Sequence, residues 1–386
     1  MTLPPSWAAR IKAQLGEIDA ADMRRERHAA YDACGPSRRI AGQDYLSFAS
    51  NDYLGLAGDA RIADALANAA KHYGVGSGAS HLLGGYTAAH QALEERLADW
   101  VGQPRALLFS TGYQANLAVI TALAGKEDLV LEDRLNHASL IDAARLSGAR
   151  FRRYLHRDPH SLARRLGKAD AEQVLVATDS VFSMDGDLAP MAELQAVAAE
   201  HGALFVVDDA HGLGVLGPQG AGAAAAAGVK PDVLVATLGK AVGTFGAFVA
   251  GPEDVIELLV QRARSWIYTT APPPALAAAS LVAVEIARFE KSRRERLEAL
   301  IRRFREGAAT LPFELLPSTT PIQPLVLRSS ERALAVSAAL RERGIWAPAV
   351  RPPTVPADSA RLRITLTAAH DGDDIDRLLD ALRAIG

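Results

Sequence analysis

A single cysteine, Cys34, occurs in 386 residues. An internal disulfide is therefore excluded, and so is any metal motif built from several cysteines. No metal site is expected, and a reduced compartment is the simplest reading. An excess of one charge is also missing, because 42 Lys and Arg stand against 45 Asp and Glu, a formal net charge of -3. Basic residues are dispersed apart from short clusters such as "RRERH" and "RRFR". No strong positive field invites nucleic acid. No apolar run reaches the roughly 18 residues of a membrane helix without polar interruption. The opening "MTLPPSWAARIKAQ" lacks the apolar stretch of a signal peptide, so a cytoplasmic protein is expected.

What is there suits a soluble α/β protein. The length exceeds one ordinary core and suggests a large domain with a smaller one. Residues 6–32 read as helical, with Ser6 as N-cap and Trp7, Ile11, Leu15 and Ile18 at helical spacing. An extended segment and turn follow in "DYLSFASNDYLGLAG". From about residue 60 to 270, short apolar runs alternate with Ala- and Leu-rich helical stretches. The strand candidates are "ALLFS", "DLVLED", "QVLVATDSVF", "ALFVVDDA", "DVLVATLG" and "GAFVAG". Continuous apolar strands separated by helices indicate a mainly parallel sheet covered on both faces. Prolines in "APPPAL" mark a break before one long helix. Beyond it, "QPLVLRSS" and "ARLRITLTAAH" read as strands, with helices around 331–343 and 373–384. The expected organisation is an N-terminal helix and extended segment over 1–50, a large domain over 51–285 and a small α+β domain over 286–386.

Ligands of open parallel sheets sit beyond the C-terminal strand ends. The tips carry Asp208, Asp209 and His211; Thr237 and Lys240; Asp179, Ser183 and Asp185; Asn136 and His137; and Thr111, Gly112 and Tyr113. Acid, imidazole, amine, hydroxyl and free backbone N–H groups together suit one anionic cofactor with a ring nitrogen, held over one amine. Each tip also has a plainer reading. "STGYQAN" is a phosphate site at a helix start or an ordinary capped turn. Asp208 is a partner for a protonated ring nitrogen or a surface strand-end acid. His137 and His211 are functional or structural, and His137 suits a helix cap. Lys240 is a Schiff-base amine or a solvated strand-end lysine. Its flanking glycines would let the backbone pass close to a ligand. A competing motif, "GLGVLG" from Gly212 to Gly217, matches the dinucleotide glycine pattern of a nicotinamide oxidoreductase. Pro218, Gln219 and Gly220 interrupt the helix that pattern should open.

The ordered set "NDYLGL", "TGYQAN", "NHASL", "FSMDGD", "DDAHGLGVLG", "TLGK", "RPPTVP" and "RLRITLTAAH" resembles the α-oxoamine synthase family from about residue 20 to the C-terminus. The family's members are pyridoxal 5'-phosphate (PLP) enzymes of fold type I that condense an amino acid with an acyl thioester and release carbon dioxide. Within it, "RPPTVP" followed by "RLRITLTAAH" most resembles the branch of biotin synthesis. That branch joins L-alanine to a pimeloyl thioester carried by coenzyme A or a carrier protein. Glycine-using relatives share most of the motifs, and some family members pair with inactive partners.

The resemblance implies that Lys240 is the Schiff-base lysine, Asp208 pairs with the pyridinium nitrogen, and His211 bonds the ring's phenolic oxygen with Ser183 nearby. It implies that His137 stacks on the ring and that Gly112, Tyr113 and Thr237 serve the phosphate side. Arg363 is similar to the arginine that takes the amino acid's carboxylate. Arg25, Asn51 and Thr354 match positions near the acyl substrate, with Arg24 and Arg27 as alternatives to Arg25. Val242 stands where relatives often carry a larger side chain. The stretch around His81 matches a glycine-rich loop that reaches the active site of a partner subunit, so a homodimer is implied.

Overall fold

The computed structural model describes residues 3–21 and 23–386. Two compact units emerge. One comprises residues 51–299 with 367–369, and the other comprises the chain up to Ser50 with 300–366 and 370–386. The division falls inside the helix Lys291–Ala308.

The larger unit is built on seven strands: β1 (Arg105–Phe109), β2 (Leu129–Asp133), β3 (Arg150–Tyr154), β4 (Val174–Asp179), β5 (Leu204–Asp208), β6 (Val233–Thr237) and β7 (Ala247–Gly251). Their order across the sheet is β1-β7-β6-β5-β4-β2-β3. Neighbours from β6 to β3 pair parallel, and β7 runs antiparallel to both β6 and β1. Strands buried on both faces need apolar residues throughout. That is why Val206, Val207, Val233, Val235 and Val249 are all buried. The helix Gly112–Leu123 seals one face, with Val119 and Ile120 packed in one cluster with Leu140, Val206 and Trp266.

β3 is absent from the strands expected from sequence. Its "RFRRY" holds three arginines in five residues, because it is the sheet edge and most of its side chains face solvent. The first helix is shorter than expected, Pro5–Ala20 rather than 6–32, and Pro4 rather than Ser6 occupies its N-cap. The apolar repeat ends at Ile18, and one further repeat falls on Arg25 and Glu26, which are exposed outside the helix. The one long helix expected after the prolines is two, Pro274–Phe289 and Lys291–Ala308. They part at Glu290, whose backbone is non-helical and whose carboxylate pairs with Arg61 and Arg293.

In the smaller unit, the strands Glu314–Leu315, Ile322–Arg328, Ala360–Thr365 and Ala349–Val350 form an antiparallel sheet in that order. The helices Ser330–Glu342 and Gly372–Ile385 follow the expected ranges. A hairpin of Ser37–Ile40 and Gln43–Ser47 adds Ile345–Trp346 as a third, parallel strand. No described helix is long and apolar enough to cross a membrane.

Just past β3, His156 sits between two carboxylates, 2.9 Å from Asp133 and 3.0 Å from Asp187. Burial pulls its pKa down, but hydrogen bonds and charge from both acids outweigh that and raise it to about 9, against an ordinary 6.5. A raised histidine stabilises the fold fully below pH 6.5, and that contribution is lost as pH rises through 9. The difference in urea unfolding free energy between wild type and His156→Gln should be roughly 2 kcal/mol near pH 6 and shrink toward pH 10. A gap that stays constant or widens with pH contradicts the pairing.

Candidate active site

One pocket opens at the C-terminal ends of the parallel strands. Gly112, Tyr113, Asn116, His137, Ser139, Asp179, Val181, Ser183, Asp208, Ala210, His211, Thr237 and Lys240 line it. Every residue expected to hold the cofactor is therefore in one place. Parallel strands all end on the same side, so tips that are far apart in sequence converge.

β5 delivers the carboxylate. Asp208 is its last residue and is buried. It accepts from Asn116 Nδ2 at 2.7 Å and from the Ala210 backbone N–H at 3.0 Å. Asp179 ends β4 directly beside it, paired in register. Burial and the neighbouring Asp208 charge push the Asp179 carboxyl well above the usual carboxylate range. Asp179 accepts from the backbone N–H of His137 at 2.8 Å, and so anchors the tip of β2 to that of β4.

Lys240 lies three residues beyond β6 and is half-buried. Its Nζ is 2.8 Å from His211 Nε2, and His211 Nδ1 is 2.6 Å from the Tyr53 hydroxyl. Tyr53 donates to Asn51 Oδ1 at 3.3 Å. The Tyr53 hydroxyl thus links Asn51 to the His211 ring, whose Nε2 meets the Lys240 amine. Asn51 does not line the pocket but reaches it through this chain.

His137 is both helix cap and pocket wall. It is the N-cap of Ala138–Leu146, and Nδ1 accepts from the Ser139 backbone N–H at 3.3 Å. Burial lowers its pKa, and the charge of Asp208 opposes the shift. Thr111 caps the helix Gly112–Leu123 by accepting from Gln114 N–H at 3.2 Å. The first N–H groups of a helix have no intrahelical acceptor, so Gly112 and Tyr113 keep donors for an anion. A Cβ at Gly112 would meet nothing within 4 Å, so the space above it is open. The Tyr113 hydroxyl donates to Asp142, which raises the phenol pKa. Thr237 Oγ1 donates to Gly246 O at 2.9 Å and accepts from Gly239 N–H at 3.2 Å.

Other expected residues are not among those lining this pocket. Arg25 and Thr354 are exposed and Arg363 half-buried, all in the smaller unit. Arg363 donates to Thr365 Oγ1 at 3.0 Å. Asn136 and Asp185 do not line the pocket. Asn136 ties β2 to β4 by donating to Ala177 O at 3.0 Å and accepting from Asp179 N–H at 3.0 Å. Asp209 is structural. Fully buried, it accepts from Ser180 Oγ at 2.5 Å, Ala223 N–H at 3.1 Å and Ala224 N–H at 3.2 Å.

The glycine pattern after Asp209 has the same purpose. A Cβ at Gly212 or Gly222 would sit 2.1 Å from an Asp209 oxygen. The run opens no long helix, only the turn Pro218–Gly220 and the four-residue Ala223–Ala226. The glycines after Lys240 were expected to make room for a ligand. Gly243 instead meets the chain, since its Cβ would lie 2.5 Å from Ala57 N.

Sequence reading missed Asn116, Ser139 and Tyr53. Asn116 had one signal, a polar residue one turn after Gly112 on the same face of the helix. Ser139 and Tyr53 had none, because their partners are distant in sequence or also serve as caps.

The family model for aminotransferase class I and II matches residues 43–382. An 8-amino-7-oxononanoate synthase from Stutzerimonas stutzeri (strain A1501) is 57% identical over 375 residues, 96% of this chain and 95% of that protein. A serine palmitoyltransferase variant from S. paucimobilis, solved with a bound PLP–myriocin aldimine, superposes with a TM-score of 0.93. It is 31% identical and covers 100% of this chain and 98% of its own. The structure of 8-amino-7-oxononanoate synthase from Francisella tularensis gives a TM-score of 0.77 at 32% identity, covering 88% of this chain and 97% of its own.

Asp209→Ala should cost about 2–4 kcal/mol in urea unfolding, because it strands three buried donors. A loss under about 0.5 kcal/mol would show that these donors find other partners.

Proposed function

Because the chain belongs to the aminotransferase class I and II family and, within it, to the 8-amino-7-oxononanoate synthases, we propose that it joins L-alanine to a pimeloyl thioester. The products are 8-amino-7-oxononanoate, carbon dioxide and the free thiol, a step of biotin synthesis. The enzyme is a PLP-dependent acyltransferase.

The donor set fits that cofactor. The pocket offers one amine at Lys240, one buried carboxylate at Asp208, two imidazoles and the start of the helix Gly112–Leu123. An aldehyde, a basic ring nitrogen and a phosphate would each find a matching group. Pyridoxal phosphate, when bound, supplies an aldehyde for an amine and a ring that accepts the electron pair left at an amino acid's Cα.

The chain's own residues take the other tasks. Lys240 Nζ would hold the aldehyde carbon, and its free amine would move the Cα proton of the amino acid. Asp208 keeps a proton on the ring nitrogen, where the pairing of opposite charges offsets burial. His211 and Ser183 would serve the phenolic oxygen, His137 the ring, and Gly112, Tyr113 and Thr237 the phosphate. On motif position alone, Arg363 takes the amino acid's carboxylate, and Arg25, Asn51 and Thr354 meet the acyl substrate. A homodimer is proposed on the same ground.

The observation that most supports this reading is the 2.8 Å contact between Lys240 Nζ and His211 Nε2. It fixes the amine at the pocket wall rather than in bulk solvent. The purified enzyme, loaded with PLP, should turn L-alanine and pimeloyl-coenzyme A or a pimeloyl carrier protein into a product with the mass of 8-amino-7-oxononanoate. Lys240→Ala should lose on the order of 10³-fold or more of that turnover. Product from glycine with an acetyl or succinyl thioester, and none from alanine with pimeloyl, would reassign the substrates. Unchanged turnover in Lys240→Ala would overturn the mechanism.

A further inference from the structure

A second chain of hydrogen bonds runs beneath the pocket, separate from the one that ends on Lys240. Asn116 is buried, and its Nδ2 reaches Asp208 Oδ2 at 2.7 Å and Ser139 Oγ at 2.8 Å. Ser139 Oγ lies 2.7 Å from His137 Nδ1. The carboxylate sets the direction of the whole chain. Asp208 accepts, so the amide nitrogen of Asn116 must face it, and the second amide proton goes to Ser139. Ser139 accepts that proton and is left to give its own to His137. The Ser139 backbone N–H points at the same nitrogen from 3.3 Å. Two donors converge on Nδ1, and a proton there would face both.

We propose that Asn116 and Ser139 are positioning residues that hold His137 as the neutral tautomer protonated at Nε2, and that they do so by reading the orientation of the Asp208 carboxylate. Nδ1 is occupied by Ser139, while Nε2 meets no hydrogen-bond partner among the described residues. The donor His137 offers to a bound molecule is therefore its Nε2–H. Burial of His137, which disfavours the charged imidazolium, works in the same direction. The buried Oδ1 of Asn116 has no partner among the described residues, so the amide is held in place entirely through its nitrogen. The role of His137 toward the cofactor rests on the function proposed above, but its tautomer does not.

The test is long-range ¹H–¹⁵N NMR of the imidazoles in the cofactor-free full chain, with His137 assigned from His137→Gln. Wild type should show Nδ1 unprotonated and Nε2 protonated across neutral pH. Ser139→Ala should mix the tautomers and raise the His137 pKa by about one unit, a tenfold change in the neutral-to-charged ratio. Ser139→Thr, which keeps the hydroxyl, should restore the wild-type pattern, and Asn116→Ala should act as Ser139→Ala does. In the loaded enzyme, the acidic limb of the pH–rate profile should move up with the same variants. A wild-type His137 protonated at Nδ1 would overturn the proposal, and that reading needs no variant to fold. A folded Ser139→Ala with unchanged tautomer and pKa would overturn it too. An inactive protein that still shows the Nε2–H tautomer would count against the proposed function and leave the relay standing.

Discussion

The buried carboxylate of Asp208 is the constraint around which the site is arranged. A carboxylate out of water needs donors or an opposite charge. Here it stands at a strand end, next in register to a second acid, Asp179. Each negative charge opposes ionisation of the other. The structure resolves this asymmetrically. Asp179 is driven toward its neutral form by burial and by the charge on Asp208. Asp208 keeps hydrogen bonds from Asn116 and Ala210 and faces the pocket. In the proposed function its further partner is a cationic ring nitrogen.

The sheet makes that arrangement possible. Six strands run parallel and one is reversed, so the tips of β2, β4, β5 and β6 and the helix that follows β1 open on one side. Amine, imidazole, acid and helix N-terminus are thus brought together from segments spread over 130 residues of sequence, about a third of the chain. Hydrogen bonds between the tips, such as those of Asn136 and Asp179, keep the distances fixed before any ligand arrives. Pre-organisation of this kind is what an electrostatic site requires.

Much of this was legible in the sequence, for a physical reason. Strands buried on both faces are almost continuously apolar, so the first polar residue after each run marks a tip. That rule locates Asp208, His137, Thr237 and Lys240 from the sequence. It failed on β3, where edge exposure allows three arginines in five residues and erases the pattern. It also failed to separate Asp208 from Asp209. Adjacent strand-end residues point to opposite faces, and only the packing shows that Asp209 turns inward to Ser180 and Ala223. Asn116, Ser139 and Tyr53 were hidden because their roles exist only once distant segments meet. Gly243 misled in the same way, since close backbone packing leaves the same signature as a ligand-binding turn.

The proposed function requires the half-buried amine of Lys240 to receive an aldehyde. Borohydride reduction of the PLP-loaded enzyme, followed by proteolysis and peptide mass analysis, measures that directly. The peptide containing Lys240 should gain the mass of a reduced pyridoxyl phosphate group, and no other lysine peptide should. Cofactor recovered on a different lysine, or on none, would contradict the assignment of Lys240.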